Sequence, residues 1–257
     1  MTPTKPTPSR DPVTETSTDA GEARRSDAAN WARPVSSLKA STTTGTTDLV
    51  RGRRPMGAIQ GFGQLWQKTF RVRLDGAGVT PPEVIRTWRE HFCEFWPANA
   101  RFHAPLTGIA PGAVALLDGR APGGLTLSTG VLVLYSDDES FTFMTPEGHM
   151  FAGWVTFSAY DDGATTVAQA QVLMRAQDPI IELGMRFGGH RQENQHWEIT
   201  LRNLAARFCV DAVASTQVVC VDPRRQWRRA TNLRYDVGMR STIHMLGRPI
   251  RWLRRGR

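Results

Sequence analysis

The middle of the chain alternates between apolar and polar residues over three successive runs. The runs are SFTFM, FAGWVTFSAY and TTVAQAQVLMR, and in each of them alternate positions place apolar or small residues on one face. A period of two is typical of a β-strand, and one-sided alternation indicates an antiparallel sheet with its other face in water. The earlier runs AVALLDG and LTLSTGVLVLY and residues 69–74 also predict strands. The predicted buried face of the three runs includes Phe141, Phe143, Phe151, Val155, Phe157, Ala168, Ala170, Val172 and Met174.

Two segments with helical periodicity flank these strands. The first begins at TPPE, residues 80–83, because Thr and Glu at this spacing form a capping box and proline is favoured in the first turn. The second begins after residues 178–179 and runs to Phe208, and its glycines predict a kink near Gly189. The apolar stripe is Ile85, Trp88, Phe92 and Phe95 in the first helix and Ile180, Ile181, Met185, Trp197, Leu201, Leu204 and Phe208 in the second.

The two ends of the chain differ in composition from the middle. Residues 1–60 are rich in Thr, Ser, Pro, Asp and Ala and lack apolar periodicity, so we predict that they are disordered. Residues 61–213 are predicted to form one α+β domain. Residues 214–257 are predicted to be a basic tail. The whole chain has a net charge of +8, and residues 221–257 alone hold eleven Arg against two Asp.

The end of the basic tail is predicted to be an amphipathic helix. Its apolar residues step by three and four, while Arg residues occupy the other positions. Such a segment with Trp is typical of elements that bind a membrane surface or a partner. Docking on its own domain or full solvation, an anionic membrane, and nucleic acid remain three open interpretations. The residues predicted to contact a membrane or nucleic acid are Arg248, Arg251, Trp252, Arg254 and Arg255.

Motifs of common enzyme classes are not found in the sequence. It contains no G-x-S-x-G, no H-E-x-x-H and no C-x-x-C, and its three cysteines match no zinc pattern. We expect no cofactor and no metal. No apolar run is long enough for a signal peptide or a membrane span, so we expect a cytoplasmic protein with reduced thiols, with membrane-peripheral location as the alternative.

The order of elements and a set of turn and core residues carry a resemblance to a known superfamily. Strand, helix, several antiparallel strands and a long final helix describe an α+β domain with its helices on one sheet face. Residues 66–210 resemble the START/polyketide-cyclase superfamily, and more narrowly an uncharacterised bacterial branch of it. The residues that carry the likeness are Gly148, His149, Gly153, Phe157, Asp161, Asp162, Gly163, Pro179, Gln195 and Trp197.

This resemblance implies a helix-grip fold, in which a curved antiparallel sheet wraps around a long C-terminal helix. It also implies an apolar cavity between sheet and helix, which members use for sterols, other lipids, plant hormones or polyketides. Small residues on the sheet, namely Gly153, Ala168 and Ala170, are expected to leave space for it. The predicted ligand-binding residues are Trp88, Phe143, His149, Phe157, Met174, Met185 and Trp197.

His149 is open to three interpretations. It follows a Pro-Glu-Gly turn at a strand start, where an imidazole could bind the backbone, contact a ligand, or act as a general acid or base. The first interpretation of the whole protein is non-catalytic binding of an apolar small molecule or lipid, at a membrane surface if the tail binds one. A scaffold or nucleic-acid-associated protein and a cyclase or dehydratase remain alternatives. A polar dyad inside a cavity would favour the enzyme, and a filled core would favour the scaffold.

Overall fold

The computed structural model describes residues 28–33, 35–39, 50, 52–120 and 126–235. Its strands are β1 (Leu65–Arg73), β2 (Ala100–His103), β3 (Val114–Arg120), β4 (Thr126–Ser136), β5 (Ser140–Met144), β6 (Phe151–Asp162), β7 (Thr165–Ala176) and β8 (Ser215–Asp222). They form one sheet in the order β2-β3-β4-β5-β6-β7-β1-β8, and each neighbouring pair is antiparallel.

Within these described ranges, three α-helices pack with this sheet: α1 (Pro81–Glu90), α2 (Pro179–Gly184) and α3 (His190–Arg207). The predicted capping box begins α1, where the Thr80 N–H donates to the Glu83 carboxylate at 2.9 Å. Trp88 of α1, Leu201 of α3 and Phe157 of β6 belong to one buried core, so both helices cover the same face of the sheet. The predicted α+β helix-grip fold is therefore confirmed.

The buried face of the sheet is the one that the alternation predicts. Phe141, Phe157, Ala168 and Ala170 are fully buried in the core between sheet and helices. Strand register explains why they meet, because Phe157 pairs with Phe141 of β5 on one side and Ala170 of β7 on the other. Directly opposed residues point to the same face of a sheet.

Two strands lie where the sequence predicts none. β2 occupies part of the predicted loop between α1 and β3 and pairs with β3, with Phe102 opposite Leu117. β8 occupies the start of the predicted basic tail and pairs with β1, with Phe70 opposite Thr216. The assignment of residues 215–222 to a tail is therefore wrong, because their backbone extends the sheet beyond β1.

Residues from the predicted disordered segment pack on the other face of the sheet. Leu38 and Val50 are buried in a second apolar cluster with Val114, Leu116 and Leu132. Successive residues of a strand point to opposite faces, so this cluster lies away from the main core. For the described residues before 61, the structure thus differs from the predicted disorder. They bury apolar side chains that local periodicity could not reveal. The division of the whole chain into three parts stays a prediction.

The chain after β8 also packs against its own domain. The guanidinium of Arg175 is buried, donates to the Gly63 carbonyl and pairs with the Asp222 carboxylate. Arg225 pairs with Glu182 of α2 at 2.9 Å. Asn232 lies in a 3₁₀ segment, Trp227–Tyr235, and donates to the carbonyl of Gln177. The first basic run of the predicted tail is therefore docked, as one of its three interpretations requires.

Candidate functional site

Aromatic side chains fill the interior beneath α1. Phe92, which follows α1, lies 4.6–5.7 Å from the ring centroids of Phe102, Phe141, Phe143 and Phe157. Trp88 contacts Phe157 at 5.1 Å. Most of these pairs meet edge to face, an arrangement that favours the ring quadrupoles. Three predicted ligand-binding residues, Trp88, Phe143 and Phe157, thus contact other rings.

Gly153 does not leave space in the interior as expected. A Cβ built there would lie only 2.0 Å from the Leu173 carbonyl oxygen, and Gly153 has a φ of +155°. Its N–H also donates to the Met56 carbonyl at 3.0 Å. Glycine at this position permits a close approach between strands, because any side chain would collide with the β7 backbone.

A charged cluster lies in the same interior, at the end of α3 nearest α2. Lys68 of β1 is fully buried, and its ammonium donates to the carboxylate of Glu193, to Asn194 Oδ1 at 2.7 Å and to the His190 carbonyl at 3.4 Å. The other Glu193 oxygen accepts from Trp197 Nε1 at 3.2 Å. We call Lys68, His190, Glu193 and Asn194 the polar cluster. Its ionic pair is desolvated, an arrangement that costs free energy unless every partner is in place.

Trp66 borders this cluster, and both Trp66 and His190 of the cluster have a ring nitrogen without a partner among the described residues. Their rings meet edge to face at 4.8 Å. Trp66 Nε1 and His190 Nδ1 are buried and have no hydrogen-bond partner among the described residues. Buried polar atoms normally have a partner, so these two nitrogens could contact a polar atom of a bound molecule.

The helical chain is broken beside the polar cluster. Met185–Gly189 joins α2 to α3 with π-type turns, and within it Phe187 (φ −97°, ψ 38°) and Gly188 (φ 109°) leave the helical conformation. The predicted kink near Gly189 is confirmed. Irregular turns of this kind are frequent at functional sites, since they redirect side chains within an otherwise regular helix.

Burial changes the protonation of the groups around the cluster. It raises the pKa of Glu193 above its usual value, and the Lys68 charge opposes this rise. Burial, aided by the Lys68 charge, lowers the pKa of His190 to about 4. Desolvation likewise lowers the pKa of His196 to about 4. Both imidazoles are therefore neutral at pH 7, and the neutral His190 avoids a second positive charge beside Lys68.

Three predicted ligand-binding residues lie on segments that adjoin the polar cluster. Met174 opposes Trp66 across the β1–β7 pair and is buried, as is Met185 in the broken turn. Trp197 joins the two regions, because its ring contacts Phe157 at 5.6 Å while its Nε1 donates to Glu193. Trp197 itself is only partly buried.

His149 lies apart from the polar cluster and binds the backbone. Its Nδ1 accepts the N–H of Phe151 at 2.9 Å, and burial lowers its pKa to about 4. The structural interpretation of His149 accounts for these contacts. Its contact with a ligand stays a prediction. The tail residues Arg248, Arg251, Trp252, Arg254 and Arg255 lie outside the described residues.

The sequence contained a signal for the polar cluster that the apolar pattern does not capture. Lys68 stands in β1 between Trp66 and Phe70, at a position where the face toward α3 requires an apolar residue. A charged residue within such a face is unusual unless it is paired. Glu193 appears on the polar side of the second helix in the sequence pattern, so the pair could not be recognised from either segment alone.

No group of three His, Cys, Asp or Glu residues within the described part of the chain could hold a metal ion. No helix among the described residues is long and apolar enough to cross a membrane.

Comparison with known proteins yields structural similarity alone. No family model and no curated protein matches the chain. Among solved structures, a protein from Thermus thermophilus, TTHA0849, aligns at 16% identity over 56% of this chain and 97% of its own, with a TM-score of 0.42. The di-domain ARO/CYC StfQ from the steffimycin biosynthetic pathway aligns at 14% identity over 56% and 50%, with a TM-score of 0.41. Major latex-like protein 151 from Panax ginseng aligns at 12% over 58% and 100%, with a TM-score of 0.38.

These values define no family for the chain. The assignment to the helix-grip class rests on the strand order and on the position of α3 against the sheet.

Proposed function

We propose that the protein binds an apolar small molecule or lipid without catalysing a reaction. The ligand occupies the interior between the sheet and α3, with its apolar part against Met174, Met185 and Trp197. A polar group of the ligand meets Trp66 and His190. The observation that carries this proposal is the buried polar cluster with two unpartnered nitrogens inside an otherwise apolar interior.

Entry of a ligand requires side chains to move, because the aromatic part of the interior is filled. The broken turn Met185–Gly189 and the partly exposed Trp197 support entry at this end. The aromatic cluster beneath α1 then serves as the rigid base of the site. An internal site of this kind is mainly apolar and uses a few polar groups to orient its ligand.

Native mass spectrometry of the purified protein, followed by solvent extraction, tests for a co-purified ligand. A fluorescent fatty acid then serves as the displacement probe. Trp66→Phe removes the Nε1 donor, and we expect it to weaken probe binding by about two- to tenfold, the range for one hydrogen bond. Trp227→Phe is the control, because Trp227 is 74% exposed and packs against Phe62, outside this interior.

A second variant tests the position of the ligand on the sheet. Ala170→Trp places an indole among Phe70, Phe157 and α3, where the core is already closely packed. We expect it to lower both stability and probe binding. Unchanged stability together with unchanged binding would show that Ala170 faces no ligand site.

The enzyme alternative has one observation in its favour. Lys68 and Glu193 are a polar dyad inside the domain, and the raised pKa of Glu193 is typical of a general acid or base. Both Glu193 oxygens and the Lys68 ammonium are already occupied by protein partners, so we rank binding first. The enzyme alternative predicts that the wild type converts an extracted molecule to a product. It also predicts that Glu193→Gln loses this activity.

The scaffold alternative is supported by the filled aromatic cluster. It predicts that mass spectrometry detects no small molecule and that the probe does not bind.

The basic C-terminal tail is proposed to have a partner of its own. Arg248, Arg251, Trp252, Arg254 and Arg255 are proposed to contact an anionic membrane, with nucleic acid as the alternative partner.

A further inference from the structure

Three large apolar side chains are exposed on one side of α2 and the broken turn. Ile180, Leu183 and Phe187 have exposed fractions of 52%, 55% and 83%. Their spacing of three and four residues places them near one another on a helical surface. Phe187 leads into the Gly188 break, and none of the three is needed to close the main core.

The exposed charges of this segment are all positive. Arg186 and Arg191, which flank Phe187 in the sequence, are also exposed. Glu182 is the one acidic residue from Pro179 to Gln192, and it is buried and paired with Arg225. The next acid along the chain, Glu193, is buried against Lys68. The surface therefore presents apolar and cationic groups without an exposed carboxylate from its own segment.

We propose that Ile180, Leu183, Arg186, Phe187 and Arg191 form a docking surface for an anionic lipid bilayer. The apolar side chains enter the interfacial layer while the guanidinium groups meet anionic headgroups, as on an amphipathic membrane-binding helix. This inference deepens the proposed function, on which it rests, because the surface adjoins the end of α3 where the polar cluster lies. An apolar ligand would then pass between bilayer and protein without crossing water.

Vesicle sedimentation of the full chain tests this surface. The vesicles are neutral phosphatidylcholine, alone or with phosphatidylglycerol. We expect Phe187→Ala to lower partition onto the anionic vesicles about tenfold, from the lost burial of one aromatic side chain. Leu106→Ala is the control, because Leu106 is 86% exposed in the β2–β3 connection, away from the surface. It should partition as the wild type does.

Separate experiments test the contribution of the two Arg residues and the position of the bilayer contact on the chain. Arg186→Gln with Arg191→Gln should weaken binding to anionic vesicles by about tenfold or more at low salt, and less at high salt. Amide hydrogen exchange should slow in residues 179–192 when anionic vesicles are added. This local protection separates docking here from binding through the basic C-terminal residues.

Equal partition of the wild type and Phe187→Ala, or unchanged exchange in residues 179–192, would overturn the inference. A concentration-dependent dimer abolished by Phe187→Ala would assign the surface to a second copy instead. Binding of the fluorescent fatty acid in the absence of vesicles should be unchanged in Leu183→Ala, because Leu183 is exposed and lies outside the broken turn. Failure of the wild type to bind that probe would count against the proposed function alone.

Discussion

Replacing Lys68 by Met would leave a buried carboxylate without its charged partner. Lys68 is fully buried, the Glu193 side chain is 9% exposed, and the ammonium also holds Asn194 and the His190 carbonyl. Removing one partner of a buried ion pair typically costs about 3–5 kcal/mol, because the remaining charge stays desolvated. We therefore expect Lys68→Met to lower the free energy of unfolding at pH 7 by this amount.

The pH dependence of this loss identifies its cause. Burial raises the pKa of Glu193 and Lys68 opposes the rise, so Lys68→Met should raise that pKa further. An acid whose pKa is raised by folding destabilises the folded state above that pKa, and this cost disappears below its unfolded value near 4.5. The difference in unfolding free energy between wild type and Lys68→Met should therefore shrink as the pH falls from 7 toward 4.5.

Urea denaturation at several pH values measures both effects. The double variant Lys68→Met with Glu193→Gln removes both charges and keeps an oxygen for Trp197 Nε1. We expect it to regain at least about 2 kcal/mol relative to the single variant. A loss below about 1 kcal/mol in Lys68→Met, or a loss that is independent of pH, would refute the argument that Glu193 is a desolvated charge held by Lys68.

Three further predictions concern the core, a buried histidine and the tail. Leu204→Ala should cost about 2–5 kcal/mol in urea melts, because Leu204 is fully buried, and a loss below about 0.5 kcal/mol would contradict this. Burial lowers the pKa of His149 to about 4, so the neutral imidazole stabilises the fold fully above pH 6.5. This stabilisation is lost as the pH falls toward 4, because the unfolded chain binds the proton more readily. His149→Asn keeps an acceptor for the Phe151 N–H and should reduce the loss of unfolding free energy between pH 8 and 4. An equal loss in the wild type and the variant would contradict this role of His149. Deleting residues 238–257 removes six Arg and should weaken binding to anionic vesicles at least tenfold without changing the melting temperature. Tight, salt-sensitive DNA binding without vesicle binding would support the nucleic-acid alternative.

The parts of the fold that could be predicted are those whose pattern is local. β5, β6 and β7 alternate cleanly, and Thr80 and Glu83 mark the start of α1 within four residues. β8 was missed because both of its faces are largely exposed, so its residues follow no apolar alternation. Leu38 and Val50 were missed because the strand residues that bury them, such as Leu132, lie more than sixty residues away in the sequence.

Only those parts of the candidate site that follow a local apolar pattern could be predicted. Met174, Met185 and Trp197 belong to apolar stripes, and the structure places them around one end of the interior. Lys68 and Glu193 can be recognised as site residues only when they are seen as a pair. The two residues lie more than a hundred positions apart in the sequence. An apolar pattern identifies which side of an element is buried, but it does not reveal which charge on another element compensates a buried one.

The position of β8 determines which end of α3 is able to move. β8 follows α3 after a short connection and is hydrogen-bonded along β1, so the C-terminal end of the helix is tethered to the sheet. The other end adjoins the non-helical residues Phe187 and Gly188, and Lys68 holds it to β1 through His190, Glu193 and Asn194. We therefore expect the gap between helix and sheet to widen by a swing about the tethered end. In that motion the contacts of Lys68 with His190, Glu193 and Asn194 would have to break before this end of the helix leaves the sheet.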